Sequence, residues 1–248
     1  MLRSLILNDQ YAFDNDVLFR GNSATLEYLH IIIDKHFLEM CNKSRVFENK
    51  HKALRHLIIH GDYSDDELYL ISKDDMNKLL NNLVSNAKRL VVSSIIWLHH
   101  VLIAKQHGLG FQNIRIFETT FKEMSLSYVL CILKALPAIT RLRSGINGVG
   151  HMLAQFENDD LPDHIVSTYG DVGSKLEVWE MTSFDSRCET DIINCILLLA
   201  LVCPNLRREE LVPKSVPDYR NKITEALESD QYRKYASQLS HVCDIIYE

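Results

Sequence analysis

The chain is poor in the residues that punctuate irregular structure, with 9 glycines and 5 prolines in 248 residues. That excludes collagen-like and low-complexity architectures. Long apolar runs are missing as well. The most apolar stretch, Ile192 to Val202, is far shorter than the ~20 residues of a membrane-spanning helix, so it reads as a buried helix and no membrane association is expected. The six cysteines (Cys41, Cys131, Cys188, Cys195, Cys203 and Cys243) include no C-x-x-C pair, which removes the usual zinc and thioredoxin-like signatures. Cys131 and Cys195 fall inside apolar helical runs, where a thiol behaves as a small hydrophobe. Reduced thiols in the cytoplasm or nucleus are therefore the expectation. Positive charge is in deficit: 27 Lys and Arg stand against 33 Asp and Glu, a net charge of −6. This argues against a broad nucleic-acid-binding surface but leaves room for a local basic patch. Residues Met1 to Asp9 carry neither the apolar core nor the cleavage site of a signal peptide, so no targeting segment is expected.

What is present is an ordinary globular composition, 46% hydrophobic and 24% charged. It can form a substantial core in one large domain or two small ones. One short pattern recurs through it: apolar, two variable, apolar, one variable, apolar. It appears at Leu2-Arg3-Ser4-Leu5-Ile6-Leu7, Leu26-Glu27-Tyr28-Leu29-His30-Ile31 and Leu54-Arg55-His56-Leu57-Ile58-Ile59. Further copies are Ala87-Lys88-Arg89-Leu90-Val91-Val92 and Phe111-Gln112-Asn113-Ile114-Arg115-Ile116. Weaker ones begin at Ile139, Leu176 and Leu206, the last broken by Glu209. The steps between copies average about 29 residues, and ordered recurrence at such a period is the signature of a repeat architecture.

The intervals read as helices. Asp75 to Val84 and Met124 to Leu136 place apolar residues at helical spacing, and Thr190 or Asp191 is a candidate N-cap for the apolar run that follows. Two intervals close on proline just before the next hexad, at Leu136-Pro137-Ala138-Ile139 and Cys203-Pro204-Asn205-Leu206. Proline cannot continue a helix, so it marks the return to the strand. The longest interval implies an inserted loop over residues 145–173. Beyond Pro213 the hexads stop, and Ile223, Ala226, Leu227, Tyr232, Tyr235, Leu239 and Val242 recur at helical spacing.

These features resemble the leucine-rich-repeat family, particularly the long irregular repeats of F-box/leucine-rich-repeat proteins. The phrase Cys203-Pro204-Asn205-Leu206-Arg207-Arg208 is similar to the stretch that opens a strand there. The repeats are degenerate: the family's Asn or Cys ladder is met only at Asn147, with Asp34, Asp62 and Thr119 as polar substitutes. The resemblance implies an α/β leucine-rich-repeat solenoid, a curved parallel sheet with helices on the convex side. It would comprise about eight repeats over residues 1–212 and a C-terminal helical cap over 213–248. It implies a non-enzymatic interaction scaffold without a cofactor, whose partner is a protein held on the concave face. More narrowly, it implies the substrate-recognition part of a ubiquitin-ligase adaptor, binding ligase subunits if an F-box lies upstream of the first hexad.

The alternating hexad positions give the candidate binding face: Tyr28, His30, His56, His60, Arg89, Asn113, Arg115, Phe117, Arg141, Arg143 and Glu180, with Arg208 at its end. Arg89, Arg115, Arg141 and Arg143 would form a basic stripe suited to an acidic or phosphorylated partner, because guanidinium groups bind such anions bidentately. The alternative is a solvated face whose arginines pair with nearby carboxylates. Arg115, Arg141 and Arg143 are expected to converge on neighbouring strands.

Other chemistry finds no motif. His99-His100 has no carboxylate partner at ligand spacing; it reads as the end of a packed helix. The stretch Gly145-Ile146-Asn147-Gly148-Val149-Gly150 lacks the Lys-Ser/Thr of a phosphate loop and reads as a flexible turn. Asp65-Asp66, Asp74-Asp75 and Asp159-Asp160 lack the calcium-loop pattern. The competing reading is an α/β enzyme built on an open doubly wound sheet, whose strands would be buried on both faces.

Overall fold

A computed structural model describes residues 2–7, 21–22, 24–34, 37, 51–61, 78, 81–93, 111–121, 124–146, 148, 160–184, 189–211 and 219–242. The chain forms two compact units, Met1–Thr119 and Thr120–Glu248.

In the first unit the strands are β1 (Ser4–Leu7), β2 (Tyr28–Ile33), β3 (His56–Gly61), β4 (Arg89–Val92) and β5 (Ile116–Thr119). They pair in parallel and in chain order, with Leu5, Leu29, Leu57, Leu90 and Phe117 in one register row. All five are buried. Successive side chains of a strand point to opposite faces, so β2 and β4 alternate between half-buried and buried positions. One face is core and the other is open. Residues 81–84 are helical, as the spacing from Asp75 predicts.

The second unit holds β6 (Arg141–Ile146), β7 (Val178–Phe184) and β8 (Arg208–Leu211), also parallel and in chain order. Its helices are α1 (Leu126–Ala135), α2 (Leu161–Tyr169), α3 (Glu189–Val202), α4 (Tyr219–Glu228), α5 (Asp230–Arg233) and α6 (Ala236–Leu239). The apolar run from Ile192 is α3, almost wholly buried, and none of the described helices is long and apolar enough to cross a membrane. Trp179 sits fully buried opposite Leu142, and its indole N–H donates to Ser144 Oγ at 3.1 Å. Tyr232 Oη donates to Asn194 and Gln238 to the Leu201 carbonyl, joining the C-terminal helices to α3.

Three expectations are corrected. The fifth hexad begins at Ile114, three residues later than Phe111. The next strand's N–H groups show this: at each step in the first unit the carbonyl of hexad position two accepts two of them. Arg3 O takes Glu27 and Tyr28, Glu27 O takes Arg55 and His56, and Arg55 O takes Lys88 and Arg89. Lys88 O then takes Arg115 and Ile116, at 2.8 and 3.0 Å. Seven hexads thus place their strands as expected, and one slips. Secondly, the region expected as an inserted loop contains α2. Thirdly, the glycine-rich stretch does not start as a turn: Gly145 and Ile146 belong to β6, the Gly145 N–H donates to Phe121 O, and Gly148 bridges Ser125.

Where described, the residues three before a hexad are buried, His51, Val84 and Phe111 in the first unit and Leu136, Gly173 and Cys203 in the second. Gly173 is there because its neighbour leaves no room. Its N–H donates to Val202 O at 3.1 Å, and a Cβ would sit far inside van der Waals contact with Cys203 Sγ. Gly173→Ala is expected to cost about 1–3 kcal/mol by overpacking, read in urea unfolding. Cys203→Ala should recover part of that loss in the double variant, since touching residues couple by about 0.5–3 kcal/mol. Gly21→Ala, with open space around it, should change nothing. Strict additivity of the two substitutions would contradict the contact.

Candidate functional site

The open positions of the first unit's strands carry the polar and aromatic residues expected of a binding face. Tyr28 on β2 faces His56 on β3, ring centroids 6.4 Å apart. One step along, His30 and His60 lie 4.8 Å apart, tilted by 51°. His60 Nδ1 is hydrogen-bonded to Ser93 Oγ. Burial, and then the nearby charge of His60, hold His30 below the ordinary histidine pKa. Two imidazolium ions at this separation would repel each other. Exposed Ile6 extends this face on β1. Next to it, Arg89 is committed to Glu118 of β5, with Nη2 at 2.8 Å from Oε1 and 3.0 Å from Oε2.

The second unit repeats the theme with charge. Arg141 and Arg143 of β6 flank Glu180 of β7; Arg141 Nη2 is paired with Oε1, and Arg143 Nε lies 3.6 Å from Oε2. The carboxylate side chain is only 12% exposed while the two arginines are 48% and 51% exposed. One carboxylate shared by two guanidinium groups leaves one net positive charge.

Of the expected residues, Tyr28, His30, His56, His60 and Arg89 therefore lie on the first unit's face, and Arg141, Arg143 and Glu180 on the second unit's. The slip of the fifth hexad moves three others. Phe117 is wholly buried in the leucine row, because it is hexad position four rather than seven. Asn113 precedes the hexad, where its Nδ2 donates to Ser85 O at 2.6 Å, the same tie that Asn205 makes to Ser174 O. Arg115 is exposed at hexad position two, before β5 begins, and is not a face residue. Arg208 opens β8, and its side chain lies outside the described residues.

Sequence reasoning missed Glu118, Ser93 and Ile6. Glu118 was hidden because the start at Phe111 meets all three apolar positions of the hexad, whereas the start at Ile114 puts Thr119 at the third. The arginines are neither wholly free nor wholly neutralised, so both readings of the stripe survive in part. Convergence of Arg115 with Arg141 and Arg143 does not follow, since Arg115 is off the strand.

Among the described residues no cluster of three or more His, Cys, Asp or Glu side chains could hold a metal ion. Among the described residues Cys131, Cys195 and Cys203 form no disulfide, and burial raises the Cys131 pKa. His99-His100 and the acidic pairs at 65–66 and 74–75 lie outside the described residues, as do Asp159 and Asn147. Asp160 immediately precedes α2. Among the described strands, neither unit shows the reversal of strand order that creates a ligand crevice in doubly wound sheets.

No family model matches the chain, and no curated protein matches it. Among solved structures, the leucine-rich repeat-containing protein LegL7 from Legionella pneumophila aligns with a TM-score of 0.47 at 14% identity, over 84% of this chain. The chain spans 63% of the length of that protein.

Proposed function

We propose that the chain is a leucine-rich-repeat solenoid acting as a non-enzymatic scaffold, with a protein partner held on the open face of its strands. The observation that carries this reading is the one-sided burial of parallel strands laid down in chain order. Such a sheet keeps one face dry and offers the other, rich in Tyr, His and Arg, to a partner. We place the repeats in residues 1–212 and read 213–248 as a cap, supported by the ties from Tyr232 and Gln238 to α3. Cysteines outside disulfides at 131, 195 and 203 fit a reducing compartment, cytoplasm or nucleus. The narrower role, substrate recognition within a ubiquitin ligase, rests on the Cys203-Pro204-Asn205-Leu206 resemblance, and co-purification of ligase subunits with the full chain would test it.

Proximity labelling in the native cell, followed by binding of the purified partner, tests the scaffold. Tyr28→Ala with His56→Ala is expected to weaken binding at least about tenfold, about 1.4 kcal/mol, with an unchanged melting temperature. Lys234→Ala, on the Asp163 contact away from the strands, should bind as the parent does. Equal binding by the face variant and the parent would overturn the reading.

A further inference from the structure

Two imidazoles meet on the open face of the first unit, and no hydrogen bond joins them. His60 stands opposite Ile32, so His30 is its diagonal neighbour across β2 and β3, yet the ring centres lie only 4.8 Å apart. His30 Nε2 is closed to water and has no hydrogen-bond partner. Buried polar atoms are nearly always paired with protein, water or an ion. Of the described histidines with such an atom, only His30 is set against a second imidazole. On His60 one ring nitrogen is anchored, because Nδ1 is hydrogen-bonded to Ser93 Oγ. When Nδ1 carries the proton and donates it to Ser93, the Nε2 lone pair is left for a ligand. A histidine that binds a metal nearly always has its second nitrogen held in this way.

We propose that His30 and His60 together bind a divalent transition-metal ion of the zinc, nickel and copper class. These ions favour imidazole nitrogen. Two imidazoles sharing one tetrahedral ion, each nitrogen about 2.1 Å from it, have ring centres about 5 Å apart, close to the spacing of this pair. A turn of the His30 ring about χ2, a broad and roughly two-fold torsion, presents its nitrogen to the shared ion. Metal binding needs neutral imidazole. Burial, and then the charge of His60, already hold His30 below the ordinary histidine pKa. Magnesium and calcium do not fit, since they take oxygen ligands and Glu118, a carboxylate of this face, is engaged by Arg89. The described residues supply no third protein ligand, so the remaining positions of the ion are open. The metal site does not depend on the scaffold reading.

The test titrates the full chain with Ni²⁺ at neutral pH, read by isothermal titration calorimetry. The parent should bind one equivalent that His30→Gln with His60→Gln loses, and an excess of Mg²⁺ should not displace it. Ser93→Ala should weaken that equivalent about tenfold, and removing either imidazole alone should weaken it at least as much. His56→Ala, on the same face with its ring against Tyr28, should leave it unchanged. So should His99→Gln with His100→Gln. Melting temperatures without metal separate loss of folding from loss of the site. A single histidine variant that melts as the parent does and binds Ni²⁺ as tightly overturns the proposal. Loss of the equivalent on changing His99 and His100, with both face imidazoles intact, overturns it as well. If the histidine variants do not fold, undiminished Ni²⁺ affinity in Ser93→Ala decides against it. None of these failures touches the scaffold, which stands or falls on protein binding.

Discussion

Phe117→Ala is expected to lower the unfolding free energy by about 3–5 kcal/mol, the usual cost of emptying a buried aromatic site. Arg115→Ala, two residues earlier, should change it by no more than about 0.5 kcal/mol. Phe117 is wholly buried between repeats, in the row that includes Leu90. Arg115 contributes its backbone to the rung beneath Lys88, and alanine supplies the same N–H. The contrast is diagnostic because a hexad starting at Phe111 abolishes it, making Arg115 and Phe117 both surface residues. Urea unfolding of the two variants decides the register. Similar small losses for both would return the fifth hexad to its earlier start.

The second large effect is acid sensitivity from His51. This histidine occupies the first unit's buried position held in later hexads by Val84 and Phe111, and desolvation lowers its pKa from 6.5 to about 4. In the unfolded chain it titrates near 6.5. Below that pH the unfolded state takes up a proton that the folded state refuses, so stability is full above about 6.5 and drains away as pH falls towards 4. With 1.36 kcal/mol per pKa unit, the loss approaches about 3 kcal/mol. His51→Leu, apolar and of comparable size, should remove most of this dependence between pH 7 and 4.5. His30 is shifted in the same direction and should leave a smaller residual slope. Denaturation midpoints of parent and variant that fall in parallel across this range would refute the assignment.

Hydrophobic spacing alone marked the strands. Leu2-x-x-Leu5-x-Leu7 and its copies put apolar side chains at alternate positions, and that pattern is stable only as a strand with one buried face. Proline at 137 and 204 made the helix-to-strand returns readable for the same local reason. The fifth strand escaped because Phe111, Ile114, Ile116 and Phe117 offer two overlapping matches, and apolarity favours the wrong one, since the start at Ile114 ends on Thr119. Only tertiary contacts do: Asn113 reaching Ser85, and the Lys88 carbonyl accepting from both Arg115 and Ile116. The helix α2 was hidden in an interval judged by its length, although Asp160, Leu161, Pro162 and Asp163 form a serviceable helix start.

The candidate face divides along the same line. Which residue types alternate outward on β2, β3, β6 and β7 was fixed by the chain, since side-chain direction in a strand has a period of two. Which of them meet was not. Arg89 with Glu118, Glu180 shared by Arg141 and Arg143, and His30 against His60 are pairings across 29 to 39 residues of sequence. They depend on the register of one strand against the next, which backbone hydrogen bonds between repeats set and a single repeat does not encode.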